Sequence, residues 1–222
     1  MDIEFICLAN SVKEQGRCVA GLRRDNQGWF RPISEAPGGT LFRPTYVLDN
    51  GEQAALLDII KVGVLTPRPE PHQPENWGLE NKQWRFLGRL PPINVWKQLQ
   101  GFLVSGPNLL GSRTDSLDYA AVKRNPVRSS LALVEPSQVS WVITTSTRGY
   151  RQTRTQFRLA GVLYDLSITD PNWRQRLADL PWGAHPREAA GLSSQERLLF
   201  TISLGGPFRG ECYKLVAAVI LL

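Results

Sequence analysis

Two histidines, three cysteines and no long apolar run make this sequence poor in several things, and each shortage narrows what the chain can do. Cys7, Cys18 and Cys212 are odd in number and far apart, which argues against a disulfide framework and for a reducing, cytoplasmic setting. No CxxC or HxxxH spacing is present, and His72 and His185 cannot complete the roughly four ligands of a structural zinc site, so no metal is expected. No apolar stretch approaches the roughly 20 residues that cross a bilayer, and the run Val216–Leu222 is far shorter. The opening Met1-Asp2-Ile3-Glu4 carries acids where a signal peptide carries Lys or Arg, so neither export nor a membrane partner is expected. The GxSxG, Walker and strand-borne GxGxxG patterns are missing as well. A non-enzyme without a cofactor is the expectation.

What is present reads as β. Hydrophobic residues make up 42% of the 222 positions, enough to build an ordinary globular core. Ile3–Ala9, Cys18–Arg23, Trp29–Ile33 and Leu56–Leu65 are strand-like runs separated by turn residues, among them Asp25-Asn26-Gln27-Gly28. Pro67, Pro69, Pro71 and Pro74 remove backbone donors at nearly every second position, which predicts a loop there. Pro91–Leu103 and Ser116–Lys123 have helical composition, the second with Ser116 as its expected cap. Strands return at Val139–Thr147, Arg154–Leu159 and Leu163–Thr169, with a tight turn at Ala160-Gly161. Asp170-Pro171 then marks a helix start. Arg197–Leu204 and Tyr213–Leu221 are strands joined by a turn over residues 205–210. Many short strands with regular turns suggest a barrel or sandwich.

Net charge is +6, which favours a polyanionic partner only where the charge is clustered. The densest cluster is Arg148, Tyr150, Arg151, Arg154, Gln156 and Arg158, inside a stretch with no acid between Glu135 and Asp165. Alternation on a strand puts Arg154, Gln156 and Arg158 on one face and Thr155, Phe157 and Leu159 on the other. Guanidinium forks match phosphate oxygens, and the Tyr150 ring offers a base a stacking surface. The same alternation also describes the solvated face of a half-buried strand. A second candidate joins Arg17 and Arg31 to Trp29, a ring beside the Gly28 turn. A third is the Pro-rich loop with His72, Asn76 and Trp77, which suits either a pocket for a modified base or nucleotide or a lid over a barrel end. Asp165 and Asp170 are the only carboxylates that invite a nuclease reading, and Asp170 already has a capping role.

Ile6-Cys7-Leu8-Ala9-Asn10-Ser11, Gly16-Arg17-Cys18-Val19-Ala20-Gly21 and Gly28-Trp29-Phe30-Arg31-Pro32-Ile33-Ser34 together resemble the bacterial dual OB-containing domain family. His72-Gln73-Pro74-Glu75-Asn76-Trp77, Tyr164-Asp165-Leu166-Ser167-Ile168-Thr169-Asp170-Pro171 and Tyr213-Lys214-Leu215-Val216-Ala217-Ala218 add to the resemblance, which spans nearly the whole chain. It implies a mainly β fold of two small OB-like β-barrels in tandem. We place them at residues 1–90 and 129–222, with a partly helical connector at 91–128. It also implies a nucleic-acid-binding or nucleotide-sensing role alongside prokaryotic conflict and defence systems. The leading expectation is sequence-tolerant binding of single-stranded DNA or RNA. The alternatives are the nucleotide pocket and a non-catalytic subunit that docks other proteins of a defence system.

Overall fold

The computed structural model describes residues 1–193 and 195–222. Six strands form the first module: β1 (Asp2–Lys13), β2 (Gly16–Arg23), β3 (Trp29–Ile33), β4 (Asp58–Pro67), β5 (Asn76–Leu79) and β6 (Arg85–Arg89). They pair in the order β1-β2-β3-β5-β4-β6, and β1 also pairs with β4, so five strands close into a ring. β1 can hold both neighbours because its register with β2 slips between Cys7 and Ala9, and such a bulge bends a strand. Ile3, Phe5 and Cys7 feed the module's own core, whereas Leu8, at the slip, joins a different cluster.

The chain then forms α1 (Pro92–Leu99), β7 (Ser116–Asp118) and α2 (Tyr119–Arg124). Ser116 does not cap a helix as its sequence context predicts. It pairs with Tyr213 in a short ladder, and Asp118 takes the cap, accepting from the Ala121 amide at 2.7 Å. Long-range strand pairing overrides the local capping signal here.

The second module comprises β8 (Leu131–Val134), β9 (Ser137–Thr145), β10 (Arg151–Leu159), β11 (Val162–Ile168), α3 (Pro171–Arg176), β12 (Gly183–Pro186), β13 (Leu198–Phe208) and β14 (Glu211–Leu221). Its ladder runs β12-β9-β10-β11-β14-β13-β8. Only Glu135-Pro136 separates β8 from β9, so the two behave as one strand broken where proline removes a donor. Counted that way, the first strand again touches the second and fourth, and the third again runs parallel to the fifth. The sequence expectation of a mainly β chain with two strand modules holds.

Trp141 is fully buried in the second core, 5.4 Å from the Trp173 ring and 6.3 Å from Phe200. Two further clusters lie between the modules. In one, Leu8 and Leu22 meet Val95 and Leu99 of α1 and Leu133, Leu199 and Ile220 of the second module. In the other, Ala9 and Ala20 meet Leu131, Ala217 and Ala218. Small side chains there let the two sheets approach closely. No helix among the described residues is long and apolar enough to cross a membrane.

Candidate functional site

A cleft of about 550 Å³ opens between the β10–β11 face of the second module and the first module. Four structural features converge on it. Gln152 and Arg154 come from β10, and Asp165 and Ser167 from β11. Ser146 and Thr147 come from the hairpin between β9 and β10, Phe208 and Arg209 from the hairpin between β13 and β14. The first module supplies the facing wall through Ser11, Val12, Lys13, Cys18, Arg31 and Gln73. Val12 N–H donates to the Thr169 carbonyl at 2.8 Å, which fixes the end of β1 against the end of β11.

Each hairpin has a local cause. Between β9 and β10, the Gly149 amide donates to the Ser146 carbonyl at 2.9 Å and the Tyr150 amide to Ser146 Oγ at 3.1 Å. Between β13 and β14, Phe208 pairs with Glu211, leaving Arg209 (φ 53°) and Gly210 (φ 84°) as the two turn residues. Positive φ at both is the hairpin geometry that matches strand twist. Residues 205–210 are therefore not one long turn, as their glycines suggest. β13 continues to Phe208, and the register slip between Leu204 and Pro207 accommodates Pro207. The two tips meet at one ring: the guanidinium carbons of Arg148 and Arg209 lie 5.5 and 5.3 Å from the centre of Phe208.

The alternation read from the β10 sequence is present, with Thr153, Thr155, Phe157 and Leu159 buried and the residues between them half-buried. The outward row is, however, largely engaged within the protein. Arg154 Nε meets Asp165 Oδ1 at 2.6 Å, and its other nitrogens donate to Ser167 Oγ and the Asp165 carbonyl. Gln156 donates to Asp165 Oδ2 at 3.1 Å. Arg158 is far along β10, donating to the Gly161 carbonyl at 2.6 Å. Arg151 donates to the carbonyls of Ala178 and Leu180 at 2.9 and 2.6 Å and lies 5.2 Å from the Trp182 ring. Tyr150 is 72% exposed. Arg148 and Arg209 form no ion pair among the described residues, which leaves them the least engaged cations at the cleft mouth.

The N-terminal candidates land elsewhere. Arg31 lines the inner wall of the cleft but is only 2% exposed. It pairs with Glu75 at 3.1 Å and donates to Ser130 Oγ at 2.7 Å and Ser203 Oγ at 3.2 Å, so it ties the modules together. Trp29 does not stand exposed at its turn; it packs, half-buried, into both clusters between the modules. Arg17 lines a separate cavity of about 160 Å³ with Asn10 and Asp170.

The Pro-rich segment leads directly into a strand. Asn76 and Trp77 lie in β5, held between β3 and β4. His72 and Asn76 are 4% and 2% exposed, so neither side chain faces solvent. His72 Nδ1 is 3.4 Å from Glu70 Oε2 without hydrogen-bond geometry, and burial pushes the ring's pKa down. Trp77 is half-buried, with Arg23 at 5.6 Å over its ring.

Sequence reasoning missed Phe208, Arg209, Gln152, Asp115 and Lys214. Lys214, 2% exposed, donates to Ser112 Oγ at 2.8 Å, to the Ser112 carbonyl at 3.1 Å and to the Thr114 carbonyl. Burial lowers its pKa to about 8, and burial also raises that of Asp115, whose Oδ1 accepts from the Asp165 amide. Asp170 caps α3 through the Asn172 and Trp173 amides and accepts from the Val219 amide at 3.0 Å, which leaves it no role in the cleft.

The family model described as "Dual OB-containing domain" matches residues 3–219. No curated protein matches the chain. Among solved structures, similarity over 100% of this chain is found to a murine DNA-binding protein bound with double-stranded DNA, at 8% identity, 97% of that chain and a TM-score of 0.32. The tetrameric p202 HIN2 is similar at 8% identity over 91% of its chain, with a TM-score of 0.30.

Proposed function

We propose, from the premise that this chain belongs to the dual OB-containing domain family, that it binds single-stranded DNA or RNA in the cleft of its second module. One observation carries the reading. The cleft is built from the second and third strands of that module and from the hairpins that join strands one to two and four to five. Those are the elements with which OB folds take oligonucleotides. Arg148 and Arg209 supply guanidinium groups for phosphate, and exposed Tyr150 and Phe208 supply rings for stacking. The chemistry is binding rather than turnover: Lys214 and Asp165 are engaged in hydrogen bonds that fix their own surroundings. The setting is the cytoplasm and the prokaryotic defence systems implied by the family resemblance, with protein partners drawn from them.

The test is fluorescence anisotropy of a labelled single-stranded oligonucleotide across a salt series. Affinity should fall with a slope of about −0.7 per contacted phosphate on logarithmic axes. Arg148→Ala combined with Arg209→Ala should weaken binding and flatten that slope by about 1.4. Binding that ignores salt, or survives the double substitution unchanged, overturns the proposal.

A further inference from the structure

The cleft has unpaired guanidinium groups at its mouth and an interior whose cations are hydrogen-bonded within the protein, a division that a phosphate-tracking groove does not require. Arg148 and Arg209 are on the hairpin tips. Deeper in, the cations are engaged within the protein, and Lys13 on the wall donates to the Gly38 carbonyl. Arg154 lies on Asp165, Arg31 lies on Glu75, and the Lys214 ammonium donates to three acceptors. Neutral donors and acceptors line much of the interior, among them Gln152, Ser167 and Ser203 of the second module and Ser11 of the first. Gln152 spends its amide N–H on Ser167 Oγ at 2.7 Å, which orients the side chain and leaves its carbonyl oxygen, an acceptor with two lone pairs, for another group.

Shape agrees with charge. A volume of about 550 Å³ falls in the range of small-ligand pockets, roughly 300–1,000 Å³. The Val12–Thr169 hydrogen bond seats β1 across the end of β11, so the first module stands in the path of a strand running along the β10–β11 face. An entering chain can send one unit inward while its backbone stays at the mouth.

We infer that the cleft is a reading pocket for one unstacked base of a single strand, with Gln152 on the base edge and Arg148 and Arg209 on the flanking phosphates. This rests on the nucleic-acid reading above and adds a specificity that phosphate contacts alone cannot give, because phosphate contacts position a strand whereas base contacts discriminate. The first module thereby becomes part of the site: Ser11 on β1 and Arg31 on β3 wall the pocket that the second module opens.

The experiment uses the full chain and strands of about 12 nucleotides, within the span of an OB-type site. One strand is abasic throughout, four carry a single central A, C, G or T in that abasic background, and one has mixed sequence. One of the single-base strands should bind about tenfold or more tightly than the fully abasic strand, the discrimination expected of a good base-edge contact. Gln152→Ala should erase that gain, while Arg209→Ala should weaken all strands by one common factor. If the mixed strand binds but no single base improves on the abasic strand, the one-base pocket is wrong and the nucleic-acid reading stands. A gain that survives Gln152→Ala removes the base from this cleft. If the mixed strand does not bind at all, both ideas fall together.

Discussion

In the first module the second strand, β2, is buried along most of its length on both faces; in the second module its counterpart, β10, alternates and keeps one face accessible. The strand order is shared, so the difference lies in what each face meets. Ala20 and Leu22 of β2 are covered by Leu131, Leu133, Ala217 and Ala218 of the neighbouring module. Gly21 lies so close to β1 that an added Cβ would fall 1.9 Å from the Ile6 carbonyl oxygen, a position closed to any side chain. The first module has thus committed to its partner the surface that the second module leaves open. Two copies of one architecture divide the work: one face becomes an interface, the other a cleft.

The division breaks most severely at Arg31. Its ion pair with Glu75 is 2% and 6% exposed on the two sides, and Glu75 also accepts from the Ser130 amide and hydroxyl across the module boundary. Glu75→Gln leaves a buried cation without its counter-charge, which costs about 3–5 kcal/mol. The contrasting pair is Arg197–Glu135, 44% and 39% exposed, where Glu135→Gln should cost about 1 kcal/mol or less. Urea denaturation of both variants compares them directly. Equal losses would mean that the Arg31 pair does not hold the modules together.

A smaller effect is expected from packing. Ala20 is fully buried in the cluster between the modules. Ala20→Leu forces three extra carbons into that contact and should cost about 1–3 kcal/mol. On β10, Arg158→Leu changes an outward side chain whose partner is a single turn carbonyl, and stability should move by about 0.5 kcal/mol or less. If both variants melt alike, β2 is not the committed face that its burial indicates.

Much of this architecture is legible in the sequence where the information is local. The alternation of Thr153, Thr155, Phe157 and Leu159 gave the inward face of β10, Ala160-Gly161 gave its turn, and Asp170-Pro171 gave the start of α3. The site is less legible because its geometry depends on distant partners. Arg154 looks like a free phosphate ligand until Asp165 is found beside it, 11 residues away. Arg31 looks like a surface cation until it meets Ser130 and Ser203, 99 and 172 positions along the chain. Trp29 borders a turn, yet the approach of a second module covers its ring. Phe208 and Arg209 sit in a glycine-rich stretch that reads as loop, and only the β13–β14 ladder aims them at the cleft. The cleft itself needs both modules, and composition carries no record of how two sheets dock.

The subtlest contrast is between the two buried cations. Arg31 of the first module has a carboxylate partner, whereas the Lys214 ammonium of the second donates only to neutral oxygens of Ser112 and Thr114, with Asp115 too weak an influence to offset burial. Burial therefore lowers the lysine pKa to about 8 in the folded protein, against about 10.4 in an unfolded chain. Between those values the unfolded state binds more protons, so this lysine makes stability rise with pH across the window, and its full penalty is present below the folded pKa. Cys7 and Cys212, whose pKa values burial raises, pull the other way over the same alkaline range. The informative quantity is consequently the difference between the wild type and Lys214→Met, which retains both thiols. That difference should shift in favour of the wild type as pH rises from about 8 to about 10.4, read from urea midpoints at several pH values. Curves that stay parallel throughout would show that the lysine titrates alike in both states. Lys214 would then carry no burial penalty, and the contrast between a charge-paired first module and a dipole-paired second one would be lost.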